Sequence, residues 1–235
     1  MPGTLAGEAT LDWTALGNTG WKPVGTGHFN HDEHLDVLWH KADTGELSVW
    51  YLNGTRWVGG NGFSNWTATE ASGWKVVGTG DFNRDGNTDV LWHKPDTGEV
   101  GTWLLDGTNV TSNPFLNKLA KQAEGFYVRG AGDFDGDGHT DVVVHNWQTQ
   151  QVIIWYLNGT NVVREGVLSW NIGGSTGWQI VGTGDYNHDG KLDVLWYEGW
   201  EGRVGAWNLD GTTVTGTTDF VNRSRAEDGW SIVSR

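Results

Sequence analysis

Asp133-Phe134-Asp135-Gly136-Asp137-Gly138-His139-Thr140-Asp141 puts oxygen-bearing side chains at its first, third, fifth and ninth positions and a glycine after the fifth. A hard cation such as Ca²⁺ takes six to eight oxygens, so alternating carboxylates around a sharp turn, closed by a later acidic residue, can wrap one ion. An EF-hand would place Glu at position twelve; that position is Val144, in an apolar run. The loop therefore leads into a strand, and the ligands expected of it are Asp133, Asp135, Asp137 and Asp141.

The pattern recurs. Asp81, Asn83, Asp85 and Asp89 repeat it before the quoted stretch, and Asp185, Asn187, Asp189 and Asp193 after it, each with an amide oxygen at the third position. A fourth copy, His28 to Asp36, lacks the first carboxylate and the turn glycine and is expected to be empty or held by hydrogen bonds. Three structural Ca²⁺ ions are the expectation; carboxylates capping their own turns are the alternative. Serial copies argue for scaffold chemistry, because catalytic metals keep an open position.

Glycine followed by an aromatic marks a recurring start at Gly20-Trp21, Gly73-Trp74, Gly125-Phe126, Gly177-Trp178 and Gly229-Trp230. The period of about 52 residues lies in the range of propeller blades. Within the second unit, period-two alternation predicts strands over 74–80, 88–93 and 100–105 and a weaker fourth, with turns at Pro95 to Gly98 and at Asp106-Gly107. Each unit is then a four-stranded antiparallel sheet with an apolar face that only a stacked neighbour can cover. The expected fold is all-β, a single β-propeller domain over 1–235 with repeats at about 20–72, 73–124, 125–176 and 177–228. Segments 5–16 and 229–235 read as lone terminal strands, which leaves four blades, five blades or completion by another copy open. A short helical turn fits only within 115–123.

The motif Gly-Thr-Gly-Asp-Phe-Asn-Arg-Asp-Gly-Asn-Thr-Asp-Val-Leu-Trp at 78–92 resembles the FG-GAP/VCBS-type β-propellers, the group that includes integrin heads, and looks most like the propeller lectins related to Psathyrella velutina lectin. The resemblance runs through all four repeats. It implies Ca²⁺ in the acidic loops and sugar pockets between consecutive blades.

A second constellation ends the second strand of every unit: Trp39-His40, Trp92-His93, Val144-His145 and Trp196-Tyr197. An indole stacks on the C–H face of a sugar while an imidazole or phenol bonds its hydroxyls. Strand alternation puts the two side chains on opposite faces, so they would serve the clefts on either side of one blade. Packing between blades is the competing role, and it is the first expectation for Trp50, Trp103, Trp155 and Trp207 and for Trp21, Trp74, Trp178 and Trp230. Trp57, Trp147 and Trp200 fall outside the repeat.

The chain carries 15 basic and 29 acidic residues, a net charge of −14. Ten of the acidic residues belong to the three intact loops. Such a surface argues against nucleic acid, whose phosphates need Lys and Arg. There are no cysteines, which removes disulfides and thiol chemistry. No apolar run is long enough to span a membrane and no signal peptide is legible, but calcium-dependent loops favour a secreted, extracellular setting. Glu46, Glu99, Asp106 and Asp210 occupy equivalent repeat positions and do not form the asymmetric pair that glycoside hydrolysis needs. The sequence thus points to a non-catalytic, multivalent lectin binding glycan ends, whose sites oligomerisation would multiply. An integrin-like protein-interaction head and an accessory propeller of a larger secreted enzyme are the alternatives.

Overall fold

The computed structural model describes residues 20–41, 43–63, 72–169, 178–199 and 202–220. The terminal segments 5–16 and 229–235, and with them Trp200, Trp230 and Gly177, lie outside the described residues.

Sixteen strands form four antiparallel sheets, each a meander in chain order. The first holds β1 (Trp21–Gly27), β2 (Asp36–Lys41), β3 (Glu46–Asn53) and β4 (Arg56–Gly62); the second holds β5 (Lys75–Gly80), β6 (Asp89–Lys94), β7 (Glu99–Asp106) and β8 (Asn109–Ser112). The third comprises β9 (Phe126–Gly132), β10 (Asp141–Asn146), β11 (Gln151–Asn158) and β12 (Asn161–Val167); the fourth comprises β13 (Trp178–Gly184), β14 (Asp193–Glu198), β15 (Arg203–Asp210) and β16 (Thr213–Phe220). The predicted strands stand to within a residue. The helical turn falls at Gln122–Glu124, at the far end of the expected 115–123, while Phe115 forms a β-bridge to Gly101 at the outer edge of the second sheet.

Local chemistry explains the meander. The third and fourth strands are joined by Asn53-Gly54, Asp106-Gly107, Asn158-Gly159 and Asp210-Gly211, and the four glycines take φ of 59 to 62°. A left-handed residue at that point lets a two-residue hairpin follow the twist of its strands.

The sheets are the blades of a propeller. Each boundary is a separate apolar core. Leu38 and Val49 meet Val90 and Trp92 between the first and second sheets; Leu91 and Val100 meet Val128 and Val142 at the next boundary; Val143 and Ile154 meet Val194 and Trp196 at the third. Burying such side chains contributes roughly 1.5–3 kcal/mol each, so the boundaries rather than the turns hold the blades together. The first strands pack in sequence, β1 on β5, β5 on β9 and β9 on β13. Among the described residues β13 and β1 do not pack on each other in this way.

Polar contacts also cross between blades. Thr79 Oγ1 donates to the Thr26 carbonyl and Thr183 Oγ1 to the Ala131 carbonyl, each at 2.7 Å, and Thr140 Oγ1 donates to the Asp81 carbonyl at 2.9 Å. No helix among the described residues is long and apolar enough to cross a membrane.

Candidate functional site: acidic loops and inter-blade clefts

The acidic loops join the first strand of each sheet to the second. Their ninth residue plays a part that spacing alone does not reveal. Asp36, Asp89, Asp141 and Asp193 are all buried to 1% exposure or less. In every copy one carboxylate oxygen accepts the backbone N–H of the loop's second residue (Phe29, Phe82, Phe134 or Tyr186) at 2.9–3.0 Å. The other accepts the N–H of Leu52, Leu105, Leu157 or Leu209, sixteen residues on in the third strand, at 2.8–3.0 Å. One carboxylate thus bolts loop, second strand and third strand together. Burial raises all four carboxyls above the usual range against the pull of those two donors, and pushes Asp89 and Asp141 up to about 7.

The first residue of each intact loop caps the turn. Asp81 accepts from the N–H of Asp85 and Gly86, Asp133 from Gly136, Asp137 and Gly138, and Asp185 from Asp189 and Gly190. Asn83 and Asn187 turn their amide N–H toward Asp85 and Asp189 at 2.8 and 2.9 Å. The third loop differs. There the carboxylate oxygens of Asp133, Asp135 and Asp141 come within 4.8 Å of one another, while Asp137 accepts the N–H of His139. Three convergent carboxylates are part of the six to eight oxygens a hard cation takes, so Asp133, Asp135 and Asp141 could hold Ca²⁺ at this loop. Arg164 of β12 supplies positive charge there, donating to Asp135 at 2.8 Å.

The degenerate first loop keeps its shape by hydrogen bonding. Asp36 retains both backbone bonds, the ring Nδ1 of His28 lies 3.0 Å from the His34 carbonyl, and Asp32 accepts the N–H of His34. An open hollow of about 560 Å³ lies over it, lined by His28, His31, Asp32, Glu33 and Gly86.

The aromatic constellation is brought together across blade boundaries. The His40 ring meets the Trp92 indole edge-on at 5.7 Å between the first and second sheets, and His145 meets Trp196 in the same way at 5.8 Å between the third and fourth. At the middle boundary the repeated indole is Val144, and the His93 ring Nε2 lies 2.7 Å from the Ala120 carbonyl instead. His40, Trp92, His93, His145 and Trp196 are buried, whereas Trp39 and Tyr197 are half-buried. The reason is positional: by strand alternation Trp39 faces away from the second sheet and Tyr197 away from the third, toward the side where β1 and β13 do not pack. The first five side chains therefore occupy packed boundaries rather than open pockets.

Polar atoms remain without partners in these boundaries. The indole N–H of Trp92 and Trp196, both ring nitrogens of His145 and Nε of Arg129 are buried there with no hydrogen-bond partner among the described residues, and so is the indole N–H of Trp39 on the opposite face of the first sheet. Such groups are rare in native interiors and are met by bound water or ligand when satisfied. Of the other tryptophans, Trp103 and Trp155 are buried as expected, while Trp21, Trp50, Trp57, Trp74, Trp178 and Trp207 are half-buried and Trp147 is 50% exposed.

Four-stranded blades tied by a repeated Asp loop define a propeller repeat protein. The model of the FG-GAP-like repeat matches residues 28–92 and 133–196, more than half of the chain, and the chain belongs to that family. No curated protein matches it in sequence. Among solved structures, a protein of unknown function from Bacteroides caccae is similar at 14% identity and a TM-score of 0.42, over 91% of this chain and 64% of that one. Virginiamycin B lyase from Staphylococcus aureus is similar at 14% identity and 0.44, over 87% and 57%. A luciferin-regenerating enzyme is similar at 10% identity and 0.51, over 90% and 65%. The chain thus spans less than two thirds of each of these proteins, and at such identities the likeness is one of fold.

Proposed function

We propose that the protein is a non-catalytic, multivalent carbohydrate-binding propeller with sugar sites at the boundaries between blades and Ca²⁺ in its acidic loops. The observation that carries this reading is the set of unpartnered indole and imidazole nitrogens at those boundaries, beside aromatic rings; because they are buried, a sugar reaches them only by local opening of the boundary. A sugar supplies what that set lacks, hydroxyl oxygens for the N–H groups and C–H faces for the rings. Half-buried Trp39 and Tyr197 add aromatic surface on the outer faces of the first and fourth sheets. Ca²⁺ would be held by Asp133, Asp135 and Asp141, and its role is to draw a repelling cluster together. Each site would be weak and the strength would come from simultaneous engagement of a glycan-coated surface, which suits a secreted protein. Glu46 and Asp210, outside the loops, pair with Lys41 and Lys191 at the surface, which suits a non-catalytic role.

One observation favours a protein-interaction head instead. Of the seven large apolar side chains exposed among the described residues, Phe115, Leu119, Trp147, Val163 and Val167 lie in the third sheet or the segment leading to it, and Leu35 and Val58 lie in the first repeat. A glycan array probed with the labelled protein in Ca²⁺, in EDTA and with competing free sugar tests the proposal. Signal on one sugar class, competed by that sugar, is the expected result; a blank array overturns the glycan reading in favour of the protein-interaction head.

A further inference from the structure

Among the described residues, four of the eight unpartnered buried side-chain polar atoms fall at one boundary, that between the third and fourth sheets: Arg129 Nε, both ring nitrogens of His145, and Trp196 Nε1. The other two boundaries are better satisfied. His93 is bonded at the middle one, and Trp92 Nε1 is the orphan at the first.

Arg129 is what distinguishes the third sheet. Each first strand carries a bulge, where the register slips by one residue against the second strand. The extra residue is Val24, Val77 and Val181 in three sheets and Arg129 in β9. Val24 and Val77 pack into the boundary with the following sheet, so the same position in β9 faces the fourth sheet. The guanidinium lies 4.9 Å from the ring centre of Tyr127, which is the register partner of His145. Burial, aided by the guanidinium charge, lowers the pKa of the His145 imidazole to about 4.

No carboxylate forms an ion pair with Arg129 among the described residues, although the chain carries 29 of them. A largely desolvated cation without a counter-ion is costly, and valine stands at this position in the other three sheets. His145, only 3% exposed, adds a second unpartnered polar side chain. The set is rich in donors: a guanidinium N–H, an indole N–H and one imidazole N–H.

We propose that this boundary binds an oxyanion, and that in the glycan-binding function inferred above it selects an acidic sugar by its carboxylate or sulfate ester. Arg129 as a whole is half-buried while its Nε is buried, so the anion approaches along the exposed part of the side chain, beside Tyr127, and reaches Nε by local opening of the boundary. The sugar part of the proposal rests on the glycan reading; the anion part does not.

The test is a titration of the ¹⁵N-labelled full chain, following the Arg129 Nε–H and Trp196 indole N–H resonances, with glucuronate, glucose 6-sulfate, glucose, acetate and inorganic sulfate as separate arms. Glucuronate or the sulfate ester shifts both resonances, and Arg129→Val weakens that binding by about tenfold or more, the loss of a charge-assisted hydrogen bond. Valine already serves at this position in three sheets, and an unchanged melting transition and spectrum confirm that the variant is folded. Arg129→Lys, which keeps the charge, retains part of the response. If acetate and sulfate shift the resonances and the sugars add nothing, the anion site stands and its acidic-sugar role falls. If glucose binds as tightly as glucuronate, the glycan reading stands and the acidic preference is overturned. No shift with any anion, or an undiminished response in Arg129→Val, overturns the site, and the orphaned nitrogens are then met by water alone.

Discussion

The imidazole of His145 stands edge-on to the indole of Trp196 across the boundary between two blades, with ring centroids 5.8 Å apart and planes at 87°. Burial, aided by the Arg129 charge, holds the folded-state pKa of His145 near 4 against an unfolded value of 6.5. Between those values the unfolded chain binds more protons, so stability falls as pH drops from 6.5 to 4. Relative to His145→Phe, the wild type loses about 3 kcal/mol over that window. Asp89 and Asp141, raised to about 7, act in the opposite sense, because the native state binds the extra protons between about 4 and 7. Comparing the two proteins by urea melts at each pH cancels that contribution. Parallel curves would show that His145 does not titrate with unfolding.

Asp89 links Phe82 N–H and Leu105 N–H through its two oxygens at 2.9 and 2.8 Å. An amide offers one acceptor where two are needed and leaves a buried N–H facing an NH₂ group. Asp89→Asn is expected to cost about 2 kcal/mol, by the same amount in EDTA and in Ca²⁺. A loss seen only in Ca²⁺ would make Asp89 a metal ligand before a structural bolt.

Gly80 closes β5 against the next blade. A Cβ there would stand 2.5 Å from Thr140 Cγ2, whose hydroxyl is engaged with the Asp81 carbonyl. Gly80→Ala therefore pries the second and third sheets apart and should cost about 1–3 kcal/mol, read as a lower denaturation midpoint. Thr140→Ala in the same chain relieves the clash, and the double variant recovers part of the loss. Additive costs would place the strain elsewhere.

Chelation tests the Ca²⁺ proposed for the acidic loops. A ligand bound only by the folded state stabilises it by about 2.7 kcal/mol at a hundred times its dissociation constant, so excess Ca²⁺ is expected to raise the melting temperature and EDTA to lower it. Asp135→Asn should remove most of the response at the third loop, where the three carboxylates converge. A transition indifferent to both reagents would leave these loops as hydrogen-bonded turns.

Several levels of this fold are legible in the residues themselves. The 52-residue recurrence of Gly-Trp or Gly-Phe sets the number of sheets described, and the Asn-Gly and Asp-Gly pairs set which strands are neighbours. Both are local: a turn glycine acts within four residues, and alternation within one strand. The degenerate loop at His28 to Asp36 was also legible as one that hydrogen bonds would hold, because it lacks the first carboxylate and the glycine.

What only the tertiary structure decided is what faces what. Asp89 and its equivalents look like ninth-position ligands, and their two backbone partners emerge only when the third strand folds back sixteen residues on. His40 and Trp92 lie 52 residues apart, and their burial depends on a boundary that neither strand contains. Trp39 and Tyr197 have the same sequence context as their buried counterparts but face the side where β1 and β13 do not pack. Arg129 reads as an ordinary surface arginine until the bulge turns it into a boundary. Sequence period and turn chemistry are properties of short stretches, whereas burial and unmet hydrogen bonds belong to pairs of sheets, and these appear only once the sheets are stacked.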